Sequence, residues 1–297
     1  MNKGFIYSAS SYLIWGLLPL YWKVLKEVPA FQILCHRISW SLVFIIFIQI
    51  FRKNLSWMKA AFRDKRVLLT FTTTSLLLSA NWFTYIWAVN NGRTIEGSLG
   101  YFINPLFTVI LGVIFLKERP DKWSWLAIGL AAAGIIYTIG IYGSVPWIAF
   151  ILAGSFGIYG LLRKTASLNS LQGLTLETML LFIPATVILI YFEFTGSGSF
   201  GHLSVSKNLI LSLAGIATSI PLLLFAAGAR RIQLTTVGIL QYIAPTLQFL
   251  IGLIVFKEAF SNNQLIGFSF VWLALIIYTA NNIMNKRKRI ETTNFTN

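Results

Sequence analysis

Tyr101–Glu118, YFINPLFTVILGVIFLKE, recurs 140 residues later as Gln241–Glu258, QYIAPTLQFLIGLIVFKE, with Pro105 answered by Pro245, Gly112 by Gly252 and Lys117-Glu118 by Lys257-Glu258. A repeat of this length requires two related halves, whatever each half turns out to be. It extends further: Trp15–Lys23 (WGLLPLYWK) is echoed by Phe156–Lys164 (FGIYGLLRK), and Ile135–Thr138 recurs as Ile276–Thr279, both at a shift of 141 residues. Each copy of the opening stretch is apolar, carries a proline near its middle and has about the length that crosses a bilayer.

Composition identifies the solvent. A mean hydropathy of +0.72, with 56% hydrophobic and 11% charged residues, belongs to a polytopic membrane protein; a soluble domain is about a quarter charged. The net charge of +15 lies in short clusters between apolar runs, so it argues for membrane topology and against a nucleic-acid face. The single Cys35 excludes an internal disulfide, and no cysteine–histidine zinc cluster is available. The apolar run after Lys3 has no small-residue cleavage site and is expected to be a retained first span.

Apolar windows fall near residues 4–22, 31–51, 67–89, 95–116, 123–142, 145–162, 171–191, 208–228, 235–256 and 264–283, which predicts an all-α integral membrane protein of ten transmembrane helices. Between the second and third spans, Trp57, Met58, Ala61 and Phe62 alternate at helical spacing with Lys59, Arg63 and Arg66. That pattern suits either an interfacial amphipathic helix or a solvated basic loop. With the N-terminus inside, eighteen lysines and arginines fall on the inner side and five on the outer side, with Arg37 inside a span to complete the 24. This positive-inside bias makes both termini cytoplasmic. Five spans per half is an odd number, so residues 1–142 and 143–297 are expected to be inverted repeats, the second ending in a short basic cytoplasmic tail.

Inverted repeats of this kind place substrate near the midplane between the halves. Pro105 and Pro245 each remove a helical hydrogen bond there, as a kink for packing or as an interruption that exposes backbone. Asn81, Trp82, Tyr85, Tyr101, Asn104, Gln241 and Tyr242 cluster in the same spans and could line a cavity for an aromatic or amphipathic small molecule. The competing reading makes the amides interhelical links and the rings interface anchors. Arg37 lies about 9 Å inside the second span, where a charge costs about 2.5–3.5 kcal/mol. Glu177 sits similarly deep in the seventh, aligned by the repeat with His36. These three are candidates for coupling or gating, with snorkelling or an internal salt bridge as the plainer account. A carboxyl at Glu177 could exchange protons.

No enzyme motif survives inspection. Gly196–Gly201 matches GxGxxG but lies in a loop with no preceding strand, and is expected to be a flexible connection. Ser199 and His202 lie three apart in a glycine-rich loop, a weak pair for which no group to orient the histidine is expected. There is no GxxxxGK[ST], no HExxH and no paired carboxylates for magnesium, so no metal, cofactor or ATP is expected.

Taken together, IWGLLPLYWK at Ile14–Lys23, HRISWS at His36–Ser41, NWFTYIWAVNN at Asn81–Asn91, GSLGYFINPL at Gly97–Leu106, FGIYGLLRK at Phe156–Lys164, LETM at Leu176–Met179 and LQYIAPT at Leu240–Thr246 resemble the RarD branch of the EamA transporters, in the drug/metabolite transporter superfamily. The resemblance covers nearly the whole chain. It implies a bacterial inner-membrane protein of two inverted EamA repeats, with a cavity lined mainly by spans 1, 3, 4, 6, 8 and 9. By that pattern Trp15 and Tyr159 join the lining candidates, and Arg37 and Glu177 fall at its edge. The branch name refers to chloramphenicol sensitivity and identifies no physiological substrate. The expected function is secondary transport of small organic solutes by alternating access, in the lipid bilayer and without catalysis. Proton coupling and a homodimer remain open. The alternative is a membrane-embedded enzyme or lipid-handling protein, for which no catalytic constellation is present.

Overall fold

The computed structural model describes residues 3–53, 55–91, 93–143, 145–257 and 262–295. Glu258, the repeat partner of Glu118, lies outside them. Helices follow in order as α1 (Lys3–Val24), α2 (Ala30–Phe51), α3 (Trp57–Arg63), α4 (Lys65–Asn90), α5 (Thr94–Phe115), α6 (Lys122–Tyr142), α7 (Trp147–Thr165), α8 (Ser170–Phe194), α9 (Val205–Ala229), α10 (Leu234–Leu240), α11 (Ile243–Ile254) and α12 (Asn262–Phe295). No strand occurs among the described residues. Local chemistry sets several boundaries. Asp121 accepts from Ser124 N at 2.8 Å to start α6, and Asn169 with Gln172 forms a capping box at α8. Gly143, at φ 75°, ends α6 in the left-handed region, where a side chain would be strained.

By length and composition, seven helices among the described residues are apolar enough to cross a membrane, and α12 adds a shorter apolar stretch, Leu265–Asn281. Two more, α1 and α4, have 22 and 26 residues but fall short in hydropathy. Their polar residues face inward: Ser8, Ser11, Thr74, Ser75 and Asn81 are all buried. Outward, Phe47, Leu69, Ile136, Ile183 and Phe194 are widely exposed, as apolar side chains facing lipid would be. This is a multi-pass membrane protein.

Helix packing follows the repeat. Under the 140- to 141-residue shift, α1, α2, α4, α5 and α6 correspond to α7, α8, α9, α10–α11 and α12. Helix α5 packs on α7 as α11 packs on α1; α4 packs on α7 and α8 as α9 packs on α1 and α2. The pairs α2 with α8, α5 with α10 and α6 with α12 join counterparts to each other. Exchanging the halves therefore preserves these principal contacts.

Three local features differ from expectation or decide between its alternatives. The basic segment before α4 is helical over α3, with Ala61 buried and Trp57 packed beside Val67, Phe71, Ala166 and Leu176, so it is docked and not a free loop. The connection at residues 196–201 is tied down by Gln32, whose amide donates to Ser197 O at 2.7 Å and accepts from Ser199 N at 2.9 Å. Phe200 then lies 5.2 Å from the His36 ring. The two prolines also behave differently. Helix α5 runs unbroken through Pro105, whereas before Pro245 the chain tightens to three-residue hydrogen bonds, Tyr242 N to Ile239 O at 3.2 Å and Ala244 N to Gln241 O at 3.2 Å, separating α10 from α11.

Candidate functional site

The principal cavity has a volume of about 250 Å³ and opens among α1, α4, α5, α7, α9 and the α10–α11 break, with α2 contributing Leu34 and Arg37. Its aromatic wall starts on α1, where Trp15 lies 5.5 Å from Tyr12, 5.7 Å from Phe156 on α7 and 5.8 Å from Phe225 on α9. Tyr85 of α4 and Tyr101 of α5 meet edge to face at 5.5 Å. Such pairs hold rigid apolar faces open to a ligand's ring or chain.

Polar groups divide into those spent on helix contacts and those left available. Asn81 donates to Leu152 O at 2.8 Å and to Ser155 Oγ at 3.0 Å, linking α4 to α7 while its residue also forms cavity wall. The Gln241 amide exchanges with Thr108 at 3.3 Å across α5 and α10, and Gln248 donates to Trp15 O at 3.3 Å. Asn104 Oδ1 is buried without a protein partner among the described residues.

Arg37 lies in the wall itself, closer in than the edge position the resemblance implies. Its guanidinium carbon is 5.0 Å from the Trp22 ring and 4.8 Å from the Trp82 ring, and Nε donates to Thr218 Oγ1 at 2.8 Å. Stacked arginine is stabilised over indole faces in a partly dry site.

Glu177 is elsewhere. It is 3.6 Å from Arg163, both side chains about 1% exposed, and Tyr159 donates to it at 3.4 Å. Arg163 also donates to Ser170 O at 3.0 Å, so the group ties α7 to α8. A tight void beside Glu177 shares Trp82 and Leu222 with the main cavity.

The structure thus brings Trp15, Asn81, Trp82, Tyr85, Tyr101, Asn104, Gln241, Pro245 and Arg37 to one cavity, and leaves His36, Tyr159, Glu177 and Tyr242 off its wall. Tyr159 is fully buried, 6.0 Å from Phe225 and nearly parallel to it. The repeat position of Trp15 is Phe156, which does line the cavity, so the 141-residue shift itself carried the signal for the α7 aromatic. Tyr242 turns into a separate cluster with Val109, Ile128 and Val271. His36 packs on Phe200. Tyr12, Trp22 and Gln248 also line the wall; nothing in their local sequence distinguishes them from ordinary span residues.

Comparison with known proteins adds an independent line. Residues 2–140 match the EamA-like transporter family. The chain is similar to the uncharacterized transporter YojE of Bacillus subtilis (strain 168), 47% identical over 290 residues with 96% of each chain covered. It is also similar to the protein RarD of Escherichia coli (strain K12), 38% identical over 287 residues with 97% of each covered. A crystal structure 17% identical in sequence superposes with a TM-score of 0.72 over 94% of this chain and 98% of that one, which supports the fold alone.

Proposed function

Because the chain belongs to the RarD branch of the EamA transporters, within the drug/metabolite transporter superfamily, we propose that it is an inner-membrane secondary transporter that moves small organic solutes by alternating access, without chemical turnover. In this reading the protein has ten transmembrane helices, arranged as inverted repeats over residues 1–142 and 143–297, with both termini cytoplasmic. The observation that carries the proposal is the central cavity, whose walls come from both halves: Trp15, Trp82 and Tyr101 from the first, Phe156, Gln241 and Pro245 from the second. A site shared between repeats can be exposed to one side or the other as the repeats rock. The exchange-symmetric packing supports the same scheme. Its aromatic walls suit an aromatic or amphipathic solute.

Glu177 is the acidic side chain best placed to couple protons, since the void beside it shares Trp82 and Leu222 with the solute cavity. Flux of a solute panel into proteoliposomes under imposed pH gradients tests both claims. Wild type should carry at least one solute unaltered, and Glu177→Gln should lose the pH dependence of that flux. Removing one member of a buried ion pair costs about 3–5 kcal/mol, so the charge-balanced double variant Arg163→Gln, Glu177→Gln serves as the folding control. Chemical alteration of the solutes, or no flux of any, overturns transport; an unchanged pH profile overturns the role of Glu177.

A further inference from the structure

We infer that the transported solute is an organic anion, bound with its carboxylate on Arg37 and its apolar or aromatic body against Trp15, Trp82 and Tyr101. The inference deepens the transporter reading and rests on it.

The first support is the charge of the cavity. Among the described residues of its wall, Arg37 alone is ionised; the others are aromatic, aliphatic or amide side chains and glycine or proline. Its guanidinium is held by two indole faces and by the Nε bond to Thr218. No described residue accepts from its two terminal nitrogens. Those nitrogens present the planar donor edge that a carboxylate accepts in bidentate fashion. A cationic solute would meet repulsion here, and two of the rings that could attract it by cation–π contact, Trp22 and Trp82, already face the guanidinium.

The second support is an account of every acidic side chain that could neutralise Arg37. The sequence has nine; the side chains of Glu258 and Glu291 lie outside those described, and the remaining seven are committed elsewhere. Asp64, Glu96, Glu118 and Asp121 accept backbone N–H groups at helix starts, from Arg66, Ile148, Leu234 and Ser124 respectively. Glu27, Glu177 and Glu193 pair with Lys207, Arg163 and His202. The contrast with Arg163 is informative: among the described residues a counter-charge meets that buried arginine and none meets the one in the cavity. A desolvated charge favours an opposite partner strongly, and a carboxylate on the solute supplies one at Arg37.

Charge and body can be tested separately with three molecules that share a phenyl ring: phenylacetate, its neutral amide phenylacetamide and the cation 2-phenylethylamine. Binding to the full-length protein in lipid nanodiscs is read by tryptophan fluorescence, alongside melting temperature. Wild type should bind phenylacetate at least about tenfold more tightly than phenylacetamide, and 2-phenylethylamine least. Arg37→Gln should bring acid and amide to equal affinity, whereas Arg37→Lys, which keeps the charge and loses the fork, should retain a reduced preference for the acid. Equal or tighter binding of the amide or amine by wild type overturns the inference without any variant. So does an intact acid preference in Arg37→Gln with a wild-type melting temperature, or mole-for-mole displacement of phenylacetate by chloride, which would mark an inorganic anion site. Proteoliposome flux separates this claim from the one beneath it. Carriage of the amine or amide but not the acid leaves transport standing and removes the anion; tight, selective acid binding with no flux of any of the three leaves the anion site and removes transport.

Discussion

Trp82 and Tyr242 are both large rings in the middle of the bundle, and their surroundings give them opposite roles. Tyr242 is 2% exposed in an apolar cluster, and its hydroxyl meets no protein partner among the described residues. An unmatched buried hydroxyl costs about 1–3 kcal/mol, so Tyr242→Phe should keep or raise the melting temperature and leave transport unchanged. Trp82 faces the cavity and stacks on Arg37. Trp82→Ala should weaken solute binding by about 0.5–2 kcal/mol, several-fold in affinity, with little change in expression. Normal binding by Trp82→Ala would make that ring a packing residue. Sequence placed both rings in one cluster because it fixes neighbourhood along a span and not rotation about it. Gln241 and Tyr242 are adjacent, about 100° apart on a helix, and only the packing of α10 on α5 decides that the amide turns to the cavity and the phenol away. Arg37 illustrates the same point: its depth was legible, its direction was not.

At the scale of elements, the crossing of α5 and α10 is a close junction beside the site. Gly238 has no room for a side chain: a Cβ there would lie 2.7 Å from Pro105 O and 2.8 Å from Val109 Cγ2. Glu118, just past the end of α5, holds the start of α10 by accepting from Leu234 N at 2.6 Å and Thr235 N at 2.8 Å, a carboxylate at the positive end of a helix. Lys117 turns the chain into this clip at φ 53°, and its repeat counterpart Lys257 has φ 54°. Gly238→Ala must push a backbone carbonyl aside and should cost about 1–3 kcal/mol, lowering the melting temperature. Gly129→Ala, where a Cβ meets nothing within 4 Å, is the matched control. It should be neutral or stabilising by up to about 1 kcal/mol, the intrinsic helix preference of alanine over glycine. Equal effects at the two positions would remove the close crossing as the cause. Elements that are long apolar runs were readable in advance to within a few residues, as α2 and α8 are. The α10–α11 break was not readable, since Pro105 sits in the same repeat context within an unbroken α5; at the break Gln241, which bonds to Thr108 across the crossing, stands where the first half has Tyr101.

For the whole molecule, the basic residues do two kinds of work. Several close helix ends: Lys164 donates to Ala229 O at 2.9 Å, and Arg230 donates to Ala166 O at 2.5 Å and Leu168 O at 2.8 Å, cations placed at the negative ends of α7 and α9. Their distribution along the chain also sets the expected orientation, and repeat plus charge bias are what made a two-half membrane architecture legible before any coordinates. Handedness between the halves follows from parity. If five spans separate equivalent points, the loop after α5 and the loop after α11 must open to opposite sides, although both carry the Lys-Glu pair of the repeat. Arg119 in the first connection and Asn262 at the start of α12 are exposed, and Cys35 is the single cysteine, so its replacement by alanine leaves a background without native thiols. In that background Arg119→Cys should be protected from an impermeant maleimide in intact cells and labelled after permeabilisation. Asn262→Cys should be labelled in intact cells. Labelling of both from one side would mean an even number of crossings between them, and with it the loss of the inverted repeat on which the alternating-access proposal depends.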